Sequence, residues 1–221
     1  MSQRYKLLVF DWDGTLMDSQ AEIVYCFQAA AKDLSLTIPS TDAIHSIIGI
    51  GMREAINELF PEIQEDSSIT QLVDQYRHHY FHPDKVPAEL FVGIEDMLIA
   101  LEKEGYFLAV ATSKGRRGLN SALERTGLNR VFHTTRCIDE AVSKPNPQML
   151  LDILDILGVE ASDALMIGDT EYDLQMANNA KVDAVGVCCG AHEIERLLAC
   201  EPKSCLDHTT HLFDWLKNDG Q

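Results

Sequence analysis

Acidic, basic and hydroxyl side chains follow four short apolar runs of this chain, and such side chains can transfer a phosphoryl group. Asp11 and Asp13 follow the run KLLVF, one residue apart, and Asp169 follows ALMIG. Two carboxylates this close repel each other and lose their hydration at a cost, so a compensating cation is expected nearby. The segments Thr112-Ser113-Lys114 and Ser143-Lys144 supply hydroxyls and lysines after the other two runs.

Each of these side-chain types has a role in phosphoryl transfer. A carboxylate can attack phosphorus and form an aspartyl phosphate, and a second acid can protonate the leaving oxygen. Further carboxylates provide the oxygen ligands that Mg²⁺ takes, and a lysine and a hydroxyl can stabilise the charge on the phosphoryl oxygens. The set therefore indicates phosphoryl transfer with bound Mg²⁺, whose charge would compensate the crowded carboxylates.

The elements that must position these residues alternate along the chain. Runs rich in Leu, Val, Ile and Ala predict strands buried on both faces at 6–10, 107–111, 164–167 and 184–188, and the weaker pattern TTRCI predicts a strand at 134–138. Helical patterns lie between them, including a Ser19–Glu22 capping box and a helix begun by Asn146-Pro147. The alternation predicts an α/β fold with a doubly wound, mostly parallel sheet of five or more strands. Ligands bind outside the carboxyl ends of such strands, so the polar residues are expected to line one pocket.

One region departs from this alternation. Between residues 17 and 87 the pattern is helical and contains no convincing strand. Its longest apolar face is formed by residues at helical spacing from Ile69 to Tyr80. We therefore predict a small all-helical domain at 17–87, inserted after strand one of an α/β domain made of residues 1–16 and 88–221.

Composition narrows the class of partner and the compartment. The 221 residues include 35 acids and 18 lysines and arginines, for a formal charge of -17, which argues against nucleic acid and anionic membranes as partners. No segment resembles a signal peptide, no apolar run is long enough to span a bilayer, and the six cysteines lack zinc-type spacing. These features predict a cytoplasmic protein with free thiols, either a monomer or a homodimer.

Four segments carry a resemblance to a known family. DWDGTLMDS, AVATSK, SKPNP and LMIGDTEYD are similar, in order and separation, to the four motifs of the haloacid dehalogenase-type (HAD) phosphohydrolase superfamily. The whole chain resembles the phosphoglycolate-phosphatase-like branch, whose α-helical cap falls where residues 17–87 lie. The resemblance implies a Rossmann-like core and a Mg²⁺-dependent phosphatase that hydrolyses a small phosphorylated metabolite through an aspartyl phosphate.

The resemblance also implies catalytic and metal-binding roles for matching positions. Asp11 is expected to be the nucleophile and a Mg²⁺ ligand, and Asp13 the general acid–base whose backbone carbonyl also contacts the metal. Lys144 is expected to bridge Asp11 and the phosphoryl oxygens. Asp169 is expected to bind the metal, and Asp173 either to bind it directly or to hold metal-bound water. A structural role for Asp173 at a helix start is a serious rival.

Three further residues are predicted to contact the substrate, and two positions depart from the family pattern. Thr112 is expected to bind the phosphoryl group, and Ser113 stands where the family commonly has Asn. Arg53, in the predicted insertion, is expected to contact the leaving group, with an ion pair on the cap surface as the alternative. Lys181 ends a helix where similar chains usually have Gly, which would cost about 1 kcal/mol if that backbone is left-handed.

Other functions remain compatible with part of the pattern. A phosphosugar mutase would use the same catalytic residues but return the phosphoryl group to a sugar. A catalytically silent phosphate-binding regulator would belong to a different class. A dehalogenase would not need the acid Asp13. A phosphonatase would use a lysine of the cap, but the only lysines of residues 17–87, Lys32 and Lys85, lie outside the presumed substrate loop.

Overall fold

The computed structural model describes residues 3–218, in which helices cover a six-stranded parallel sheet. Its strands are β1 (Leu7–Phe10), β2 (Met17–Asp18), β3 (Glu89–Leu90), β4 (Phe107–Thr112), β5 (Thr134–Cys137), β6 (Ala164–Gly168), β7 (Asp183–Val187) and β8 (Ser204–Leu206). Its α-helices are α1 (Gln20–Asp33), α2 (Thr41–Ile47), α3 (Met52–Leu59), α4 (Asp66–Tyr80), α5 (Ile94–Lys103), α6 (Arg116–Thr126), α7 (Gln148–Leu157), α8 (Glu171–Ala180), α9 (Ile194–Leu198) and α10 (Leu212–Asn218).

The sheet has the order β5-β4-β1-β6-β7-β8, and every neighbouring pair in it is parallel. Central strand β1 is completely buried. Its Leu8 and Phe10 pack with α5, α6 and α10, whereas Leu7 and Val9 pack with α7, α8 and α9 on the opposite face. Because both faces are covered, the central strands β1 and β6 are apolar along their whole length, and the predicted doubly wound α/β fold is confirmed.

All five predicted strands are present, and three short ones were missed. β8 is a partly buried edge strand of three residues, SCL, without an apolar run. β2 and β3 are two residues each and pair antiparallel where the chain leaves and rejoins the sheet region, so the expectation of no strand from residue 17 onward was wrong at Met17–Asp18. Segments this short carry too little periodicity to be recognised from sequence.

Helices α1–α4 lie between β2 and β3 and have an apolar cluster of their own. Buried side chains from all four helices meet there, including Phe27, Ile44, Ile56 and Leu72. No helix among residues 3–218 is both long and apolar enough to cross a bilayer. The two domain boundaries proposed from the sequence, before residue 17 and after residue 87, stay a prediction.

Details of three helix ends differ from or sharpen the predictions. The Ser19–Glu22 capping box is absent, because Ser19 makes no side-chain cap bond and its hydroxyl donates to Asp13 instead. The helix expected at Pro147 begins one residue later, at Gln148, whose amide donates to the side chain of Asn146. Lys181 has a left-handed backbone conformation, with φ 61°. This is the condition under which a lysine was expected to be less stable than glycine at this position.

Candidate active site

A buried lysine joins two carboxylates at the carboxyl end of the sheet. Lys144 Nζ donates to Asp11 Oδ1 at 2.7 Å and to Asp173 Oδ1 at 2.6 Å. The side chains of Lys144 and Asp173 are fully buried and that of Asp11 is 3% exposed. These residues come from the end of β1, from the loop before α7 and from the first turn of α8. Strand-end placement thus brings together side chains that are up to 162 residues apart in sequence, since Asp11 and Asp173 both contact one ammonium group.

Asp169, immediately after β6, completes the acidic cluster. Its Oδ1 accepts from Thr15 Oγ1 at 2.7 Å and its Oδ2 accepts from the Ala191 amide at 2.8 Å. The chain passes so close to this carboxylate at Gly14 that a Cβ there would lie 2.2 Å from Asp169 Oδ2. Gly14 also has φ +83°, so both space and backbone conformation require glycine at this position.

Asp173 has a structural role in addition to its place in the cluster. Its Oδ2 accepts from the amide and the hydroxyl of Thr170, while the Asp173 amide donates back to the Thr170 hydroxyl. This reciprocal pattern is a capping box that begins α8. The helix-start role weighed for Asp173 is therefore present, and its remaining oxygen belongs to the ion pair with Lys144.

The donor set fits a hard divalent cation. One carboxylate oxygen from each of Asp11, Asp169 and Asp173 lies within 4.8 Å of the other two, and all three residues are buried. Three carboxylates form an all-oxygen set of the kind that Mg²⁺ takes and that soft metals do not favour. One lysine faces these three acids, so the cluster carries excess negative charge that a cation would compensate.

Burial and mutual repulsion shift the protonation of this cluster. Desolvation raises the pKa of Asp11 to about 7, against the opposing effect of Lys144. Desolvation, followed by the nearby Asp11 and Asp173 charges, also raises the pKa of Asp169 well above its usual range. Burial alone would lower the pKa of Lys144, but the Asp11 and Asp173 carboxylates outweigh it and raise that pKa. Without a metal, the cluster therefore holds protons that an exposed set of acids would lose.

Asp13 is held by a lysine that the sequence analysis did not assign. Lys114 Nζ donates to both carboxylate oxygens of Asp13 at 2.8 Å, and the Ser19 hydroxyl donates to Oδ1 at 2.7 Å. The ammonium group also lies 5.0 Å from the ring centre of Tyr80 in α4. The available signal was the position of Lys114, since it follows β4 at the same sheet edge as Asp13.

The adjacent residues Thr112 and Ser113 make hydrogen bonds with different parts of the molecule. Thr112 is 1% exposed at the end of β4, and its hydroxyl accepts from the Lys114 amide at 3.1 Å. Ser113 instead donates to the Gly49 carbonyl, 2.6 Å away, in the loop between α2 and α3. Thr112 thus faces the site predicted for it, whereas the Ser113 hydroxyl is engaged by the helical insertion.

The loop between α2 and α3 makes further contacts with the sheet side of the site. The Gly51 amide donates to the Ser143 hydroxyl at 2.8 Å. Gly49, with φ +103°, lies so close to α8 that a Cβ there would be 2.7 Å from Thr170 Oγ1. Two serines fasten this loop by hydrogen bonds: Ser113 follows Thr112, which is predicted to bind the phosphoryl group, and Ser143 precedes Lys144, which is predicted to be catalytic.

A cavity of about 720 Å³ opens between the helical insertion and the sheet edge. Asp11, Asp13, Thr112 and Ser113 line its lower side, and Arg53 lines the side formed by α3. Arg53 is 57% exposed and donates to Asp66 at 2.7 Å, so the ion pair weighed as the alternative is present. Because Arg53 also borders the cavity, its contact with a leaving group stays a prediction. Five of the predicted site residues therefore share one cavity. The other three, Lys144, Asp169 and Asp173, lie in the buried cluster beneath it.

Comparison with known proteins places this chain in a family. The family model for haloacid dehalogenase-like hydrolases matches residues 8–187. The chain is 36% identical to "Probable phosphatase IndB" of Dickeya dadantii (strain 3937), over 91% of this chain and 89% of that protein. It is 30% identical to the phosphoglycolate phosphatase of Agrobacterium fabrum, over 97% of this chain and 95% of that protein.

A solved structure shows the same fold. A hydrolase from Pseudomonas syringae matches with a TM-score of 0.86 at 24% identity, covering 96% of this chain and 99% of that one. The family model and the two relatives confirm the predicted family and enzyme class. The chain belongs to the haloacid dehalogenase-like hydrolases, in their phosphoglycolate-phosphatase-like branch, and is a phosphatase.

Proposed function

We propose that this protein is a Mg²⁺-dependent phosphatase that hydrolyses a small-metabolite phosphomonoester through an aspartyl phosphate on Asp11. The observation that carries the proposal is the buried cluster in which Lys144 contacts Asp11 and Asp173 beside Asp169, directly under the cavity. A cluster with three carboxylates and one ammonium group is costly to bury unless it binds something. A bound cation would pair with the carboxylates, and a phosphoryl group would pair with the ammonium group of Lys144.

In the first step, a carboxylate oxygen of Asp11 attacks phosphorus and the bond to the leaving oxygen breaks. Asp13 donates its proton to that oxygen, so the leaving group departs as an alcohol. Lys144 holds Asp11 in position and offsets charge on the phosphoryl oxygens, and Thr112 contributes its hydroxyl to them. Such fixed donors are worth more in a buried site than in water.

In the second step, the Asp13 carboxylate takes a proton from water, and the resulting hydroxide attacks phosphorus. The bond between phosphorus and the Asp11 oxygen breaks, which regenerates the carboxylate and releases inorganic phosphate. Asp11, Asp169 and the backbone carbonyl of Asp13 would hold Mg²⁺, with Asp173 contributing directly or through water. When bound, Mg²⁺ supplies positive charge that brings the carboxylate and the phosphoryl group together.

Residues 17–87 act as a cap in this proposal. Helices α1–α4 cover the cavity, and the loop contacts at Gly49 and Gly51 fasten them over the catalytic residues. Excluding water in this way strengthens each electrostatic contact and protects the phosphoenzyme from uncontrolled hydrolysis. Arg53 and Ser113 border the space that the substrate would occupy.

The test is phosphate release from p-nitrophenyl phosphate with Mg²⁺ and with excess chelator. We expect turnover only with the metal, and its loss in Asp11→Asn. Asp13→Asn should accumulate protein carrying one phosphoryl group, which intact mass spectrometry detects, because the second step needs the base. Substantial turnover by Asp11→Asn would exclude the covalent route. Absence of phosphate release under every condition would instead favour a silent phosphate-binding regulator.

A further inference from the structure

The cavity above Asp11 is larger than the leaving group of phosphoglycolate requires. Its volume of about 720 Å³ lies within the range of roughly 300–1,000 Å³ that encloses drug-sized ligands. A two-carbon hydroxy acid would occupy a small part of it. The unused space matters because a cluster of aliphatic and aromatic side chains lines part of it.

The buried part of the cap side of the cavity is aliphatic and aromatic, while Arg53, Glu54 and Arg77 line its exposed part. Ile23, Phe27, Ile47 and Ile48 line the buried part and are each less than 9% exposed. We call the four rings Phe27, Tyr76, Tyr80 and Phe81, all of which line the cavity, the aromatic wall. Within it the Phe27 and Tyr76 ring centres are 4.8 Å apart, and the Tyr76 and Tyr80 rings are stacked at 6.2 Å with an interplanar angle of 10°.

The cations of the cavity are already engaged. Lys114 is bound to Asp13, Arg53 to Asp66, and Arg77 lies 3.9 Å from Asp74. Arg117 is exposed and lies over the Phe81 ring, 4.1 Å from its centre.

This arrangement suits an apolar leaving group better than an acid. Among the described lining residues, a second carboxylate on the substrate would find no buried cation free to bind it, and it would add to the charge of Asp13, Glu54 and Asp139. An apolar ring would instead displace water from the aromatic wall at no electrostatic cost.

We propose that the leaving group of the natural substrate is an apolar, ring-bearing alcohol rather than glycolate or another small hydroxy acid. The phosphoryl group would sit at Asp11 and the ring against the aromatic wall. The inference rests on the proposed phosphatase function, because it assumes that the cavity receives a phosphomonoester with its phosphorus at Asp11.

The first test compares kcat/KM for three esters with Mg²⁺: 2-phenylethyl phosphate, ethyl phosphate and phosphoglycolate. The first two release unactivated primary alcohols, so their comparison reports contacts made by the ring. We expect 2-phenylethyl phosphate to exceed both others at least tenfold. Turnover with equal values, or with phosphoglycolate preferred, overturns this inference and leaves the phosphatase function intact. Turnover of none of the three, nor of p-nitrophenyl phosphate, overturns both.

The second test fills the cavity. Val73 of α4 lines it and is half-buried, and Val73→Phe would place a ring where the substrate ring should lie. We expect kcat/KM to fall at least tenfold for 2-phenylethyl phosphate and to stay unchanged for ethyl phosphate. Val92→Phe is the matched control, since Val92 is 93% exposed and does not line the cavity, and it should change neither value. An equal fall for both esters in Val73→Phe, or no fall, contradicts the proposal.

Discussion

The two sides of the cavity are stabilised by different kinds of contact. On the sheet side, charged groups are buried and paired, and each oxygen of Asp169 and Asp173 has a hydrogen-bond partner. On the cap side, the buried part of the lining is apolar and its rings pack on one another, and the charged lining residues Arg53, Glu54 and Arg77 are exposed. Groups that must react need a defined position, which hydrogen bonds supply, whereas a surface that selects by shape and hydrophobicity needs only packing.

The two sides are fastened by few polar contacts. Ser113 to Gly49 and Gly51 to Ser143 are the two hydrogen bonds between the α2–α3 loop and the sheet side that involve these serines. Mutations on the sheet side should therefore change the rate of the chemical step, and mutations on the cap side the preference for a leaving group, each without the other. The following predictions test that separation, beginning with the largest expected effect.

Lys144→Met should strongly slow the chemical step while leaving the cap side intact. Removing the ammonium group between Asp11 and Asp173 takes away a fixed positive charge, and kcat should fall about 10²–10³-fold. KM for an apolar ester should change little. Lys85→Met is the control, since Lys85 pairs with Glu22 of α1 instead. Steady-state kinetics decide the matter, and an equal loss of kcat in both variants would show that the two sides are not separable.

Affinity for Mg²⁺ should rise with pH on the acid side of neutrality. The raised pKa of Asp11, about 7, means that the metal-free protein holds a proton below that pH, and this proton stabilises the fold until the pH rises through about 7. Binding the metal expels the proton, so affinity should increase about tenfold for each pH unit below 7 and level off above it.

Isothermal titration in buffers of different ionisation enthalpy measures the protons released. We expect release of at least one proton per Mg²⁺ near pH 6, since Asp11 and Asp169 both have raised pKa values, and fewer at pH 8, where Asp11 is ionised. Equal affinity and no proton release across this range would show that Asp11 is already ionised without the metal.

Ser113→Ala combined with Ser143→Ala should loosen the cap without removing a reacting group. Each hydroxyl makes one bond to the α2–α3 loop, and a bond of this kind contributes about 0.5–1.5 kcal/mol. We expect kcat/KM to fall by about tenfold in the double variant, mainly through KM. Ser46→Ala removes a hydroxyl bond that lies within α2 and should leave kcat/KM unchanged. A fall confined to kcat would mean that the serines act on the chemistry itself.

Lys181→Gly should have the smallest effect, on stability alone. Lys181 is left-handed after α8, with φ 61°, and glycine adopts that conformation without the steric penalty of a side chain. We expect the free energy of unfolding to rise by about 0.5–1 kcal/mol with unchanged kcat/KM. Lys181→Ala keeps the strained conformation and should not show the gain in thermal or denaturant unfolding. A gain in both variants would point to the lysine charge as the cause.

The sheet side could be predicted from sequence because its signals are local. A carboxylate directly after a buried apolar run, as at Asp11 and Asp169, has few explanations other than a site at the sheet edge. The alternation of strands and helices then brings these ends together. For the same reason the family motifs, which are mostly strand ends, matched the residues that form the cluster.

The tertiary contacts could not be predicted in this way. The Ser19–Glu22 spacing satisfied a local capping rule, but a stronger acceptor, Asp13, lies near the Ser19 hydroxyl in the folded chain. Lys114 likewise looked like any lysine after a strand, and its bond to Asp13 depends on how β1 and β4 align. Ser113 contacts a loop whose position is set by helix packing.

The central place of β1 also affects how the protein is made. Leu7 pairs with Phe107 on one side and with Ala164 on the other, so the strand that carries Asp11 reaches its final neighbours only when distant segments are available. During synthesis from the amino terminus, helices α1–α4 emerge whole long before β6 does and can pack locally. The apolar strand β1 can pair with β4 once Thr112 has emerged, but its other edge has no partner and stays exposed to chaperones or to aggregation until the chain has grown past Gly168.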